Sequence, residues 1–416
     1  MKTAAIIGAG VSGLASAHVL SDRFDVTVYE KAERPGGLIR CEYVGGVLYH
    51  LVGGHVFNSR RKDVLEWFWR RFDQAGNFTK AVRKAVVALD RGVFVDYPIE
   101  NHIYQMPNEM ADAVIRDLLR IAAEGYGAPG NFDEFLQNRF GTTLYREYFR
   151  PYNQKIWQCS LSSIPLDWLD GKLPMPTVEE IMSANILRSQ EMNMVHSTFN
   201  YPLRGGSQFI ADTLAKGLKI VYNAPVQRLE RREDGSWLVD GTPYDLVVFC
   251  GNIRQLPDMV RGSVSWGGGL EQDILSLQAH GTTSVLCEVD ANPYSWIYLP
   301  GEGCASHRMI CTGNFSPYNA PSKKHTATVE FTGQLDKETI LKQLARIPYA
   351  PHYMAHHYES CTYPIQNGNT RQCVQAAKRL LAPMGLHLIG RFAEWEYYNM
   401  DAAIGAALDQ LSSLPD

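Results

Sequence analysis

The sequence predicts an α/β protein in three parts: a parallel sheet opened by a glycine turn, a largely helical insertion, and a mixed sheet. Three observations carry that prediction. Near the N-terminus two apolar runs flank a tight glycine-rich turn and a helix-forming stretch. From Met106 to about Gln190 glycine turns become rare and helical periodicity dominates, as in MADAVIRDLLRIAAE. From Leu218 onward, short runs with strand character return.

The first part is the most specific. Residues 4–7 are apolar, Gly8-Ala9-Gly10-Val11-Ser12-Gly13 follows, and a second apolar run, 26–29, ends at Glu30. Gly8 allows the turn, Gly10 lets a pyrophosphate approach the backbone, and Gly13 lets helix and strand pack closely. The helix start then offers unpaired N–H groups and a positive dipole end to phosphates. Glu30 is placed to accept from a ribose hydroxyl. This pattern predicts dinucleotide binding; the alternative is a glycine turn in an ordinary βαβ unit. The extension EKAERPGGLIR adds a second glycine pair after the acid. It resembles the glutathione-reductase-like FAD enzymes, in particular their amine-oxidase-like branch. The resemblance implies a Rossmann-type FAD-binding domain, with Ser12, Lys31, Gly37, Leu38 and, later, Val226 at the cofactor.

Composition narrows the class. At 416 residues the chain can bury two or three domain cores. A net charge of −4 gives no reason to expect nucleic acid. The chain enters its first strand at once, so no signal peptide and a cytoplasmic setting are expected. No apolar run reaches the roughly 18 residues of a membrane span. The eight cysteines are scattered with no CxxC pair, which predicts free thiols and no metal site.

After the βαβ unit, Gly53-Gly54-His55 reads as a loop with close backbone approach, and its position favours a flavin contact over a core histidine. Residues 63–72 read as an amphipathic helix. Two short strands are expected within 86–97 around Asp90-Arg91-Gly92, closed by Pro98. A glycine loop at 201–207 leads back into strands at 218–222, 226–230, 236–239 and 246–250. A mixed sheet is expected from 282–289, 296–299, 309–312 and 326–332, then a strand at 386–390 and a helix at 400–411. The predicted division is a discontinuous FAD-binding domain (1–97, 200–275, 375–416), a mainly helical substrate or lid domain (98–199), and a mixed-sheet substrate domain (276–374).

Three further stretches carry a sharper likeness: Tyr152-Asn153-Gln154-Lys155-Ile156-Trp157; Trp296-Ile297-Tyr298-Leu299-Pro300 with Arg308; and Gly390-Arg391-Phe392-Ala393-Glu394-Trp395-Glu396-Tyr397-Tyr398-Asn399-Met400-Asp401. With the Gly-Gly-His loop and the glycine turn, they resemble the UDP-galactopyranose mutase family over nearly the full chain, and its eukaryotic-type members in the middle stretches. The resemblance implies a nucleotide-sugar pyranose/furanose mutase, in which N5 of reduced FAD attacks the anomeric carbon without net redox. It places Tyr152, Tyr298, Arg308 and Tyr397 at the diphosphate, Trp157 at the sugar, and Gly54, His55, Arg391 and Met400 at the flavin. Tyr97, Glu100, Tyr148, Asn153 and Asn399 are expected to line the substrate site. A separate reductant and a homo-oligomer are further expectations.

Two departures bear on the substrate. The family's second diphosphate arginine is matched by Lys172, a charge without the bidentate fork, so Arg188 is an alternative recruit. Glu100 stands where the eukaryotic-type pattern carries glutamine, and an ionised carboxylate accepts but cannot donate. The hypothesis that follows is a base or sugar other than that of UDP-galactose; the bland alternative is that Glu100 is a solvated rim residue. Rival readings of the whole chain are a flavin oxidoreductase of the amine-oxidase or protoporphyrinogen-oxidase type, and a catalytically silent flavoprotein.

Overall fold

The computed structural model describes residues 1–89, 92–166, 175–188, 197–321 and 324–414. The expected turn residues Asp90 and Arg91, and Lys172, lie outside them. Among the described residues no helix is long and apolar enough to cross a membrane.

Strand β1 (Lys2–Ile7), helix α1 (Val11–Leu20) and strand β2 (Phe24–Tyr29) form the predicted opening unit. A five-stranded parallel sheet grows around it, in the order Leu386–Leu388, Leu246–Phe249, β1, β2, Lys219–Val221. Its central strands, β1 and Leu246–Phe249, are apolar on both sides because both faces are covered. Ala4 and Ile6 pack with α1 and the helix Met400–Leu411, while Ala5 and Ile7 pack with Trp237, Phe249 and Trp395. The expected strand at 226–230 is shifted to Leu229–Arg231, and it joins a separate three-stranded sheet. Val226 is thereby left in a loop.

The second sheet has seven strands, in the order His352–Pro364, Ala279–Glu288, Thr326–Thr332, Arg308–Ile310, Trp296–Tyr298, Ala85–Leu89, Val93–Asp96. Two of its members correct the expected division at residue 97. Strand Ala85–Leu89 runs parallel to Trp296–Tyr298, with Trp296 opposite Ala85 and Tyr298 opposite Val87, and carries its antiparallel partner Val93–Asp96 with it, so the hairpin belongs to the mixed sheet and not to the parallel one. Alternating apolar residues predict a strand but do not name its partner. The edge strand His352–Pro364 was not foreseen. Its sequence HYMAHHYESCTYP lacks an apolar alternation, and most of its side chains are half-buried or exposed.

The insertion is helical as expected: Asn108–Glu124, Phe132–Leu144, Arg150–Trp157 and Val178–Leu187. Val114, Leu118, Phe132, Leu136 and Leu144 share one core with Ala85, Val87 and Val95 of the mixed sheet. The insertion is therefore packed directly onto that sheet.

Candidate cofactor groove and substrate end

A groove of about 960 Å³ runs from the glycine turn to the face of the mixed sheet. Its first end is built of backbone. Gly8 has φ +104°, a conformation that favours glycine, and a Cβ on Gly13 would sit 1.8 Å from the Gly8 carbonyl oxygen. A Cβ on Gly10 would meet nothing within 4 Å, because this position faces the open groove. Gly10 also caps α1 with no side chain, leaving the first-turn N–H groups for an anion. The loop after β2 is tied down where Gly36 N–H donates to the Ala9 carbonyl at 2.9 Å. Glu30, buried, accepts Ala9 N–H at 2.7 Å through Oε2 and Ala32 N–H at 2.9 Å through Oε1. Each oxygen keeps a second lone pair, so the carboxylate is fixed in place and still able to accept from a ribose. Ser12, Lys31, Gly37, Leu38 and Val226 line the same groove, as do Asn399 and Met400 at the start of the last helix.

His55 sits midway. A Cβ on Gly54 would lie 2.6 Å from Ile310 Cγ2, so this loop is pressed onto the mixed sheet. Burial, with the Arg391 and Arg308 charges adding and Glu330 opposing, pushes the His55 pKa down to about 4. The imidazole is neutral at pH 7, and its Nε2 is buried with no protein partner. A flat ligand in the groove would supply one.

The other end is built of side chains from distant segments. Arg308 donates from Nε to buried Glu330 and from an Nη to the Tyr363 hydroxyl at 3.1 Å. Burial works against the Arg308 charge, but Glu330 and the surrounding phenols hold its pKa well above the ordinary value. Burial would likewise raise Glu330; the Arg308 charge and a contact from His307 reverse that and hold it well below the usual carboxylate range. Tyr363 stacks on Tyr397 at 5.5 Å, and the Arg391 guanidinium lies 4.2 Å from the Tyr397 ring. Tyr148 stacks on Tyr152 at 5.4 Å, Tyr152 meets Tyr298 edge-on at 5.2 Å, and Tyr97 lies 4.8 Å from Tyr298. Burial raises Tyr148, Tyr152 and Tyr363 well above a normal phenol, so all three stay protonated donors.

Tyr97, Tyr148, Tyr152, Tyr298, Arg308, Tyr397 and Arg391 thus come together, though they are spread over about three hundred residues. Trp157 is at the rim of this group, edge-on to Tyr363 at 6.2 Å. Asn153 is more local than expected. It accepts from Trp157 Nε1 at 3.2 Å and donates to the Phe149 carbonyl at 2.7 Å, which holds the helix and the indole in place. Arg188 does not join the group; it is exposed and lies over Tyr104, 5.0 Å from that ring. Glu100 is buried, not a solvated rim residue, and its charge reaches Tyr148.

The sequence reading missed Arg83, Glu330 and Tyr363. Arg83 donates to the Tyr298 hydroxyl, lies 4.8 Å from the Trp296 ring, and lines the groove. Its Nε and that of Arg391 are buried without a partner. Glu330 sits in Thr326–Thr332, where a carboxylate in the apolar alternation was the available signal. Arg83 and Tyr363 carry no local signal.

The family described as NAD(P)-binding Rossmann-like domain matches residues 6–72. Among curated proteins, an L-amino-acid oxidase of Notechis scutatus scutatus is 25% identical over 283 residues, 61% of this chain and 51% of the relative. The chain thus spans about half the length of the curated relatives it matches. Among solved structures, reduced UDP-galactopyranose mutase superposes with a TM-score of 0.87 at 22% identity, covering 99% of this chain and 95% of the other. A protein described as a protoporphyrinogen oxidase from Exiguobacterium sp. 255-15 gives 0.76 at 16% identity, over 99% and 98%. These likenesses fix the fold, and with the groove's glycines and acid they identify FAD as its cofactor.

Proposed function

We propose that this flavoprotein interconverts pyranose and furanose forms of a nucleotide-diphosphate sugar. One observation supports the reading most: arginines 83, 308 and 391 meet tyrosines 298, 363 and 397 at the substrate end of the groove. Bound FAD in its reduced form would supply a nucleophilic N5 toward an anomeric carbon. The protein's own task is then to hold a leaving diphosphate bearing about two negative charges. Arg308 is suited to it. Its Nε is committed to Glu330, which fixes the guanidinium plane and leaves other N–H donors directed along Tyr363. Tyr152 and Tyr397 lie within the electrostatic reach of Arg308, and Tyr152, its pKa raised by burial, is a neutral donor or acceptor that adds no competing charge. Arg83, on the Trp296 and Tyr298 rings, provides a second fixed cation where Arg188 does not.

The test uses the FAD-loaded protein under anaerobic conditions, with and without dithionite. UDP-galactopyranose, its N-acetyl analogue, and dTDP- and GDP-linked sugars are supplied, and isomers are followed by chromatography. Isomerisation that needs reduced flavin is the expected result. A second reading, a flavin oxidase, is favoured by the L-amino-acid oxidase relatives. If no sugar turns over, while an amine or a porphyrinogen bleaches the oxidised flavin, that reading replaces the first.

A further inference from the structure

The segment that carries Tyr148, Tyr152 and Trp157 is an interrupted helix. Phe132–Leu144 breaks at Gly141 (φ 81°, ψ 164°), and the chain turns helical again at once. Tyr145–Phe149 is then a wide turn in which Arg150 N–H donates to the Tyr145 carbonyl, five residues back. Pro151 explains the widening: it has no N–H to give, and its ring clashes with the carbonyl four residues earlier in a regular helix. One extra residue per turn rotates everything downstream by about 100°. Tyr152 and Trp157 therefore reach Tyr298 and Tyr363 only because both the break and the wide turn are kept.

A side chain from another helix holds the break. Asp117, buried in Asn108–Glu124, accepts Thr143 N–H at 2.7 Å through Oδ2, while Arg120 donates to Oδ1. Thr143 is in the first turn after the break, where N–H groups lack helical partners, so Asp117 supplies a cap from outside the helix. The fit is close. A Cβ on Gly141 would lie 2.5 Å from Asp117 Cβ. Downstream, Tyr145 donates to Asp133 Oδ1 at 2.8 Å, and Phe140 stacks on Phe149 at 4.1 Å across the break.

We propose that Asp117 is a positioning residue: by capping the restarted helix at Thr143 it fixes the tilt and rotation of segment 142–157, and with them Tyr148, Tyr152 and Trp157 where they pack against the tyrosines of the substrate end. The link to substrate rests on the nucleotide-sugar reading; the link to segment 142–157 does not.

The test compares FAD-loaded wild type with Asp117→Ala, Asp117→Asn and Gly141→Ala. Hydrogen exchange is read by peptide, and UDP binding by calorimetry. Asp117→Ala is expected to speed exchange about tenfold within 142–157, with exchange at the glycine turn and the flavin content unchanged. UDP should bind about tenfold more weakly, with KM rising more than kcat falls. Asp117→Asn, which keeps one acceptor, should restore both to within about threefold. Gly141→Ala should repeat the Asp117→Ala pattern from the other side of the contact. Unchanged exchange in 142–157, or acceleration spread evenly over the chain with loss of flavin, overturns the proposal. If wild type binds no UDP and isomerises no sugar, the functional reading fails instead, and the exchange data still decide the role of Asp117.

Discussion

The two ends of the groove are made from different materials. At the dinucleotide end, main chain does the work: glycines without side chains, helix N–H groups, and one carboxylate fixed by two backbone donors. At the substrate end the main chain recedes, and phenols and guanidinium groups from six separate stretches meet. Backbone recognition reads phosphates through short-range geometry and tolerates change elsewhere. Side-chain recognition depends on every element that carries a contributor. The first end should therefore fail through local crowding, and the second through loss of a partner.

The largest effect tests the backbone end. Gly13→Ala drives a methyl into the Gly8 carbonyl, a contact between two stretches of main chain that cannot swing aside. A cost of about 3 kcal/mol and loss of bound flavin are expected; flavin absorbance per mole of protein and urea unfolding read both. Retained flavin would remove the distinction drawn above.

At the other end, Arg308→Met strands the buried Glu330 charge, and a loss of about 3–5 kcal/mol is expected. Adding Glu330→Gln should recover at least half of that stability, while kcat/KM stays about a thousandfold down. A double variant as unstable as the single one would show that the loss is not the uncompensated charge.

A smaller effect comes from two histidines, of which His50 is buried and His55 lines the groove. Burial holds His50 at about 3 and His55 at about 4, both below the free imidazole value near 6.5. With folded pKa values below unfolded ones, protons are taken up on unfolding. Stability is complete above pH 6.5 and is lost as pH falls toward 4, by about 1.4 kcal/mol per pH unit for each such imidazole. Glu330 enters only below about pH 4.3, where its unfolded form begins to protonate. Urea unfolding at pH 7 and pH 5 should show the decline, and His50→Gln should reduce its slope. An unchanged slope would mean that His50 is not part of it.

The smallest effect concerns specificity. Glu100→Gln is expected to shift the preference among UDP, dTDP and GDP sugars by about threefold to tenfold. No shift would assign the buried carboxylate to packing alone.

The difference between the ends also explains what could be read from sequence. Gly8, Gly10, Gly13 and Glu30 lie within 23 residues, so their spacing is itself the geometry. Arg83 has no such spacing. It follows the strand Phe78–Val82, and it acquires meaning only because residues 85–87 pair with 296–298. Tyr363 ends a strand whose polar surface hid it, and Asn153 was assigned to substrate although its hydrogen bonds turn out to be with its own helix. Motifs located most of the tyrosines; they could not show that Glu330 orients Arg308, because that contact joins adjacent strands.

The order of strands in the parallel sheet has a consequence for biosynthesis. β1 lies between β2, which is made almost immediately, and Leu246–Phe249, which leaves the ribosome more than two hundred residues later. Until then one edge of the nascent nucleotide unit is open to mispairing. The sheet is completed by Leu386–Leu388, and the groove by Ala403. Flavin is therefore captured only after the last helix has been made, nearly four hundred residues behind the glycine turn that receives it.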